Sequence, residues 1–97
     1  MKRPSKAAKA HVLVLAENLD LAAVAPLRDE ILGVRGAALT VDASGVQRIG
    51  GLCLQVLLAA SAAWRSDDRA FSITGASPEV RNTLERAGAG DLVEGTA

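Results

Sequence analysis

Apolar residues fall along the chain in short runs that alternate with helical stripes. His11-Val-Leu-Val-Leu15 is a continuous apolar run with β-branched members, of a length that suits a buried strand. Asn18-Leu-Asp20 breaks it. From about Ala22 to Leu32 the apolar Val24, Leu27, Ile31 and Leu32 recur at helical spacing, with Arg28, Asp29 and Glu30 on the other side. Pro26 lacks a backbone donor and must lie in the first turn, so this helix begins between Ala22 and Ala25, and Gly33 stops it. Ala38-Leu-Thr-Val41 is a second strand-length run, ending at Asp42 and the loop Ala43-Ser-Gly45, and Gly50-Gly51 marks the next break. Between Gly51 and Asp67, Leu54, Leu57, Leu58 and Ser61 stand at i, i+3, i+4 and i+7 and predict the longest helix. Ala70-Phe-Ser-Ile-Thr74 predicts a third strand. Ser77, Pro78 and Glu79 then open a last helix through Val80, Leu84 and Ala87, closed by Gly88 and Gly90.

Strand and helix alternate three times with short connections, the pattern of an α/β domain with parallel strand pairs and helical crossovers. The first strand–helix junction, Ala16-Glu-Asn-Leu-Asp-Leu21, has no glycine and two acids, so it is no phosphate-binding loop. At 97 residues there is room for one core, and 49% hydrophobic residues suffice to fill it. Trp64 and Phe71 are the only aromatic residues, which predicts a core of Leu, Val, Ile and Ala and no bulky wedges.

Charge is unevenly placed. Lys2, Arg3, Lys6 and Lys9 make residues 1–10 a basic tail, read as solvated and disordered, ahead of a single domain over residues 11–97. From residue 11 onward seven arginines face eleven acids, a formal charge of −4. That sign, with so few aromatics for base stacking, argues against a nucleic-acid partner. The single Cys53 excludes an internal disulfide and a multi-thiolate metal site, and suits a reducing, cytoplasmic compartment. Leu52 to Trp64, the longest nearly apolar stretch, is shorter than the ~20 residues of a membrane span, and the N-terminus has no apolar leader region. No direct membrane insertion is expected.

Catalysis needs a constellation of groups, and none is evident. Cys53 falls beside the Leu54/Leu57 apolar face and reads as a buried, inert thiol. His11 opens a strand with no carboxylate near it in sequence, and Asp42, at a strand end, suits either a place in a site or the cap of the adjacent turn. The expectation is a protein that is no enzyme and holds no cofactor or metal. The longest helix is more informative, because it is apolar on more than one side. Leu54, Leu57, Leu58 and Ser61 share the expected sheet-facing side, while Leu52, Gln55, Ala59 and Ala63 lie near the opposite one. An apolar outer side beginning at Leu52 points to a protein partner.

The segment Val41-Asp-Ala-Ser-Gly-Val-Gln-Arg-Ile-Gly-Gly-Leu-Cys-Leu-Gln-Val-Leu-Leu58 resembles the STAS domain family, which includes bacterial anti-sigma factor antagonists and the cytoplasmic tails of sulphate transporters. Asn18 to Arg28 is similar to the family's element entering its first helix, Phe71 to Arg81 to its late strand, loop and helix, and Leu84 to Gly88 with Asp91-Leu92 to its closing segment. The fold this implies is a small mixed β-sheet with helices packed against it. The family's regulatory junction has the form Asp-Ser-Ser/Thr-Gly-Leu, whose second hydroxyl residue accepts phosphate from a partner kinase. Laid over Gly50-Gly51-Leu52-Cys53-Leu54, it sets the acceptor on Leu52, which has no hydroxyl.

The resemblance implies a non-enzymatic interaction module of bacterial signal transduction, allied to anti-sigma factor antagonists or chemotaxis proteins and not phosphorylatable at the usual site. Its partner would be an anti-sigma factor or histidine kinase-type protein, met through Ser44, Gly50, Gly51, Leu52, Gln55 and Ala59. The alternatives are an accessory STAS subunit of an ABC-type lipid transporter ATPase, and a small-molecule or nucleotide sensor.

Overall fold

The computed structural model describes residues 11–93. The basic segment 1–10 lies outside the described residues. In chain order the elements are β1 (His11–Val14), β2 (Asn18–Leu19), a 3-10 turn (Leu21–Ala23), α1 (Val24–Gly33), β3 (Leu39–Asp42), β4 (Arg48–Ile49), α2 (Gly51–Ser66), β5 (Phe71–Thr74), α3 (Pro78–Arg86) and a second 3-10 turn (Gly90–Leu92). The three strands read from the sequence form one sheet in the order β1-β3-β5, and β2 pairs with β4 beside it. Every strand pairing among the described residues is parallel, so the antiparallel element of a mixed sheet does not occur there. Two residues of β2 and two of β4 are too few to leave a period-2 pattern, and the sequence gives no sign of them.

β1, read from its continuous apolar run as a buried strand, is buried on one face only. Leu13, Val41 and Ile73 are in register across the sheet and buried. Their neighbours Val12, Thr40 and Ser72 turn to the opposite face, as do Val14, Asp42 and Thr74. Val12 is 58% and Val14 66% exposed. The helices thus cover one face of the sheet, and the apolar run of β1 reflects β-branched strand propensity as much as burial.

α1 starts at Val24, within the expected window, with Pro26 in its first turn, and buries Leu27 and Ile31. Leu32, counted with its apolar stripe, remains 55% exposed. α3 begins as the sequence predicts: the Ser77 hydroxyl accepts the Val80 N–H at 3.2 Å, Pro78 follows, and Val80 and Leu84 go into the core.

α2 is turned from its expected orientation. Its buried residues are Cys53, Leu57, Ala60, Ser61 and Trp64, while Leu54 and Leu58 are half-buried at the flank. The buried face is rotated by roughly 65° from the one the leucines alone define. The reason is chemical: a small thiol and an indole carry the burial, and the leucines pack around them. Trp64 is the bulky wedge that a core of aliphatic residues did not anticipate. It is fully buried, donates its indole N–H to the Ala37 carbonyl at 2.6 Å, and meets Phe71 edge to face with ring centroids 6.0 Å apart.

Candidate docking site on the second helix

The connection from β3 to α2 is built from a run of backbone hydrogen bonds. Asp42, at the end of β3, accepts the Ser44 N–H on Oδ1 at 2.9 Å, closing the turn that its position suggested. That donated bond holds the Asp42 carboxyl below its ordinary value. The Ala43 N–H donates to the Thr74 carbonyl at 2.8 Å, and the Val46 N–H to the Ala43 carbonyl at 3.1 Å. Gly75 adopts φ +74°, and a Cβ there would stand 2.9 Å from the Cβ of Ser44. Only glycine at position 75 lets the β5–α3 loop lie this close behind the Ser44 turn.

The chain then runs alongside β2 as β4. The Gln47 N–H donates to the Glu17 carbonyl at 2.8 Å and the Gly50 N–H to the Leu19 carbonyl at 2.8 Å. A side chain on Gly50 would press on that same carbonyl at 3.2 Å, which explains glycine at this position better than flexibility does. Gly50 caps α2 in extended conformation without a side-chain hydrogen bond, and no acid stands in the first turn. α2 therefore starts with unsatisfied N–H groups and the positive end of its dipole beside Leu52.

Among the six expected partner-facing residues, all are exposed. Leu52, Gln55 and Ala59 share one side of α2, and Leu52 is 56% exposed. Gly50 and Gly51 form the entry to the helix, and Ser44 stands on the separate Asp42 turn. Ala63, placed with the outer residues, is half-buried because it leans toward α1.

Cys53 faces inward. Its thiol donates to the Asp20 carbonyl at 3.4 Å, and burial pushes its pKa up, with the Asp20 charge adding to the effect. His11 is exposed at the start of β1, with its backbone N–H on the Ala38 carbonyl. Among the described residues no three His, Cys, Asp or Glu side chains converge as metal ligands, and no helix is long and apolar enough to cross a membrane.

Sequence reasoning passed over the side of α2 toward α1. There Arg28, Leu32 and Arg35 border an apolar groove with Val56, Ala59 and Ala63. The available signal was Leu32, an apolar residue one position beyond the Leu27/Ile31 buried pair.

A family model described as "Mlab, STAS domain" matches residues 3–94, nearly the whole chain. The chain belongs to the STAS domain family. The same fold occurs in the structure of the murine Solute Carrier 26 family member A9 (Slc26a9) anion transporter in the inward-facing state, with a TM-score of 0.68 over 90% of this chain. Sequence identity is 16%, so the likeness is one of fold, and this STAS domain corresponds to 16% of the transporter chain. No curated protein sequence matches the chain. The α/β architecture read from the strand–helix alternation is thus that of a STAS domain, a fold that serves as an interaction module.

Proposed function

We propose that this STAS domain is a non-enzymatic docking module of bacterial signal transduction, which binds a protein partner of the anti-sigma factor or histidine kinase type. The contact surface is the loop from Ser44 to Leu52 with the outer side of α2 through Gln55 and Ala59. The observation that carries this reading is Leu52, a large apolar side chain 56% exposed at an uncapped helix start. An apolar residue there withstands solvent at a cost that a partner would remove, and its lack of a hydroxyl means that no phosphate can be transferred to position 52 itself. A cytoplasmic location accords with a signalling partner.

A second reading is favoured by one observation, the occurrence of the same fold within a membrane transporter. In that reading the domain is an accessory STAS subunit of an ABC-type lipid transporter ATPase, and the same surface meets the ATPase.

The test is site-specific photo-crosslinking in the native host, with the photoreactive residue at Leu52, at Ala59 or, as control, at the exposed Glu85 of α3. A discrete protein adduct from Leu52 and Ala59 but not Glu85 is the expected result, and its mass spectrum decides between kinase-type partner and ATPase. Adducts equal at all three positions, or none at Leu52 and Ala59, would remove this surface from consideration.

A further inference from the structure

The loop from Ser44 to Leu52 is held at its two ends by different parts of the fold. At the Leu52 end the holder is β2, where the Glu17 and Leu19 carbonyls accept the Gln47 and Gly50 N–H groups, each at 2.8 Å. At the Ser44 end it is the end of β5 and the loop that follows. The Ala43 N–H donates to the Thr74 carbonyl at 2.8 Å, and Gly75 lies against the Ser44 backbone. A Cβ at position 75 would stand 2.9 Å from the Ser44 Cβ and 3.2 Å from both its Cα and its N. None of these atoms moves with a change of rotamer, so a side chain at 75 must displace the turn or the loop as a body.

The bonds within the Ser44 turn are internal to it: the Ser44 N–H on Asp42 Oδ1 at 2.9 Å and the Val46 N–H on the Ala43 carbonyl at 3.1 Å. They fix the shape of the turn and leave its place above the sheet to Thr74 and Gly75. Ser44 and Leu52 can meet one partner together only when these two separate supports set them at matching heights.

We propose that Gly75 is a positioning residue of the docking surface: having no side chain, it lets the Ser44 turn settle where a partner meets it together with Leu52. This rests on the docking-module reading and adds the β5–α3 loop to the parts of the fold that govern the contact.

The test uses the full chain in the native host, with a photoreactive residue at Gly45 or at Leu52. Gly45 belongs to the exposed Ser44 turn, and a side chain there has open space around it. The quantity read is the ratio of the two adducts to the same protein, which a general loss of stability lowers together and so leaves unaltered. Gly75→Ala should lose most of the Gly45 adduct and keep that from Leu52. Gly88→Ala should leave the ratio as it is, because φ +84° in open space brings left-handed strain without a collision. Gly75→Asn provides the same test should Gly75→Ala fail to fold, since asparagine accepts the left-handed region and still carries the colliding Cβ.

An unchanged ratio in Gly75→Ala and Gly75→Asn overturns the proposal, as does an equal fall in Gly88→Ala. An adduct from Leu52 with none from Gly45 in the unaltered chain also overturns it, and leaves α2 standing as the docking surface. Absence of both adducts from the unaltered chain would remove the docking-module reading itself, and the proposal with it.

Discussion

Leu57 and Leu54 stand three residues apart on α2 and carry different loads. Leu57 is fully buried in the core, whereas Leu54 sits half-buried at its edge. Leu57→Ala should lose about 2–5 kcal/mol of stability, and Leu54→Ala less than about 2 kcal/mol, because a partly exposed site forfeits less transfer energy and leaves a smaller cavity. Urea denaturation of both variants measures the gap, and equal losses would mean that the helix is turned as the leucine stripe alone suggests. Asp42 offers a second, pH-dependent test. Its folded carboxyl is held low by the Ser44 amide. The charged form is thus favoured by folding, and its contribution is complete above the ordinary carboxylate value and lost as the pH falls through the lowered native one. Side-chain carbon NMR should show Asp42 titrating at lower pH in the folded chain than in urea, and coincident midpoints would deny the turn its hydrogen bond. The Asp42 cap was legible in the sequence because an aspartate before Ala-Ser-Gly bonds locally. Trp64 was not, since its partner, the Ala37 carbonyl, lies 27 residues away.

At the scale of elements, α1, α2 and α3 were readable because their signals are local: Pro26 in a first turn, Gly50-Gly51 at a start, and the Ser77 cap with Pro78 behind it. The orientation of α2 was not readable in full, because it packs against both sheet and α1 and so is apolar over more than one stripe. β1 misled for a related reason. A run of Val and Leu looks the same whether a strand is covered on one face or two, and only the pairing with β3 shows Val12 and Val14 turning outward. Between elements, the contact of Gly75 with the Ser44 turn gives a prediction. Gly75→Ala forces both a left-handed alanine and a 2.9 Å collision, whereas Gly88→Ala, at φ +84° in open space, forces only the first. Gly88→Ala should cost about 1 kcal/mol and Gly75→Ala distinctly more. Equal midpoint shifts in urea would show that the Ser44 turn yields freely.

For the whole molecule, the outward placing of Leu52, Gln55 and Ala59 was legible, since a helical wheel alone sets them on the outer side. The groove was not, since it needs two helices side by side and the wheel of one says nothing of its neighbour. The parallel topology has a further consequence, for the route by which the chain assembles. Leu39 of β3 pairs with His11 on one side and Phe71 on the other, and each pairing spans an entire helix. No two strands of this sheet are joined by a tight turn, so no hairpin can form early and template the rest. Loop closure must be met twice around β3 before either neighbour returns contacts. Assembly should therefore be slower than that of a helical bundle of this length, with β3 organising the transition state. In stopped-flow experiments Val41→Ala should mainly slow refolding, and Val80→Ala, on the last helix, should mainly speed unfolding. The reverse partition would place the nucleus in the C-terminal third of the chain, and a newly made chain would then have to wait for α3 before its sheet could form.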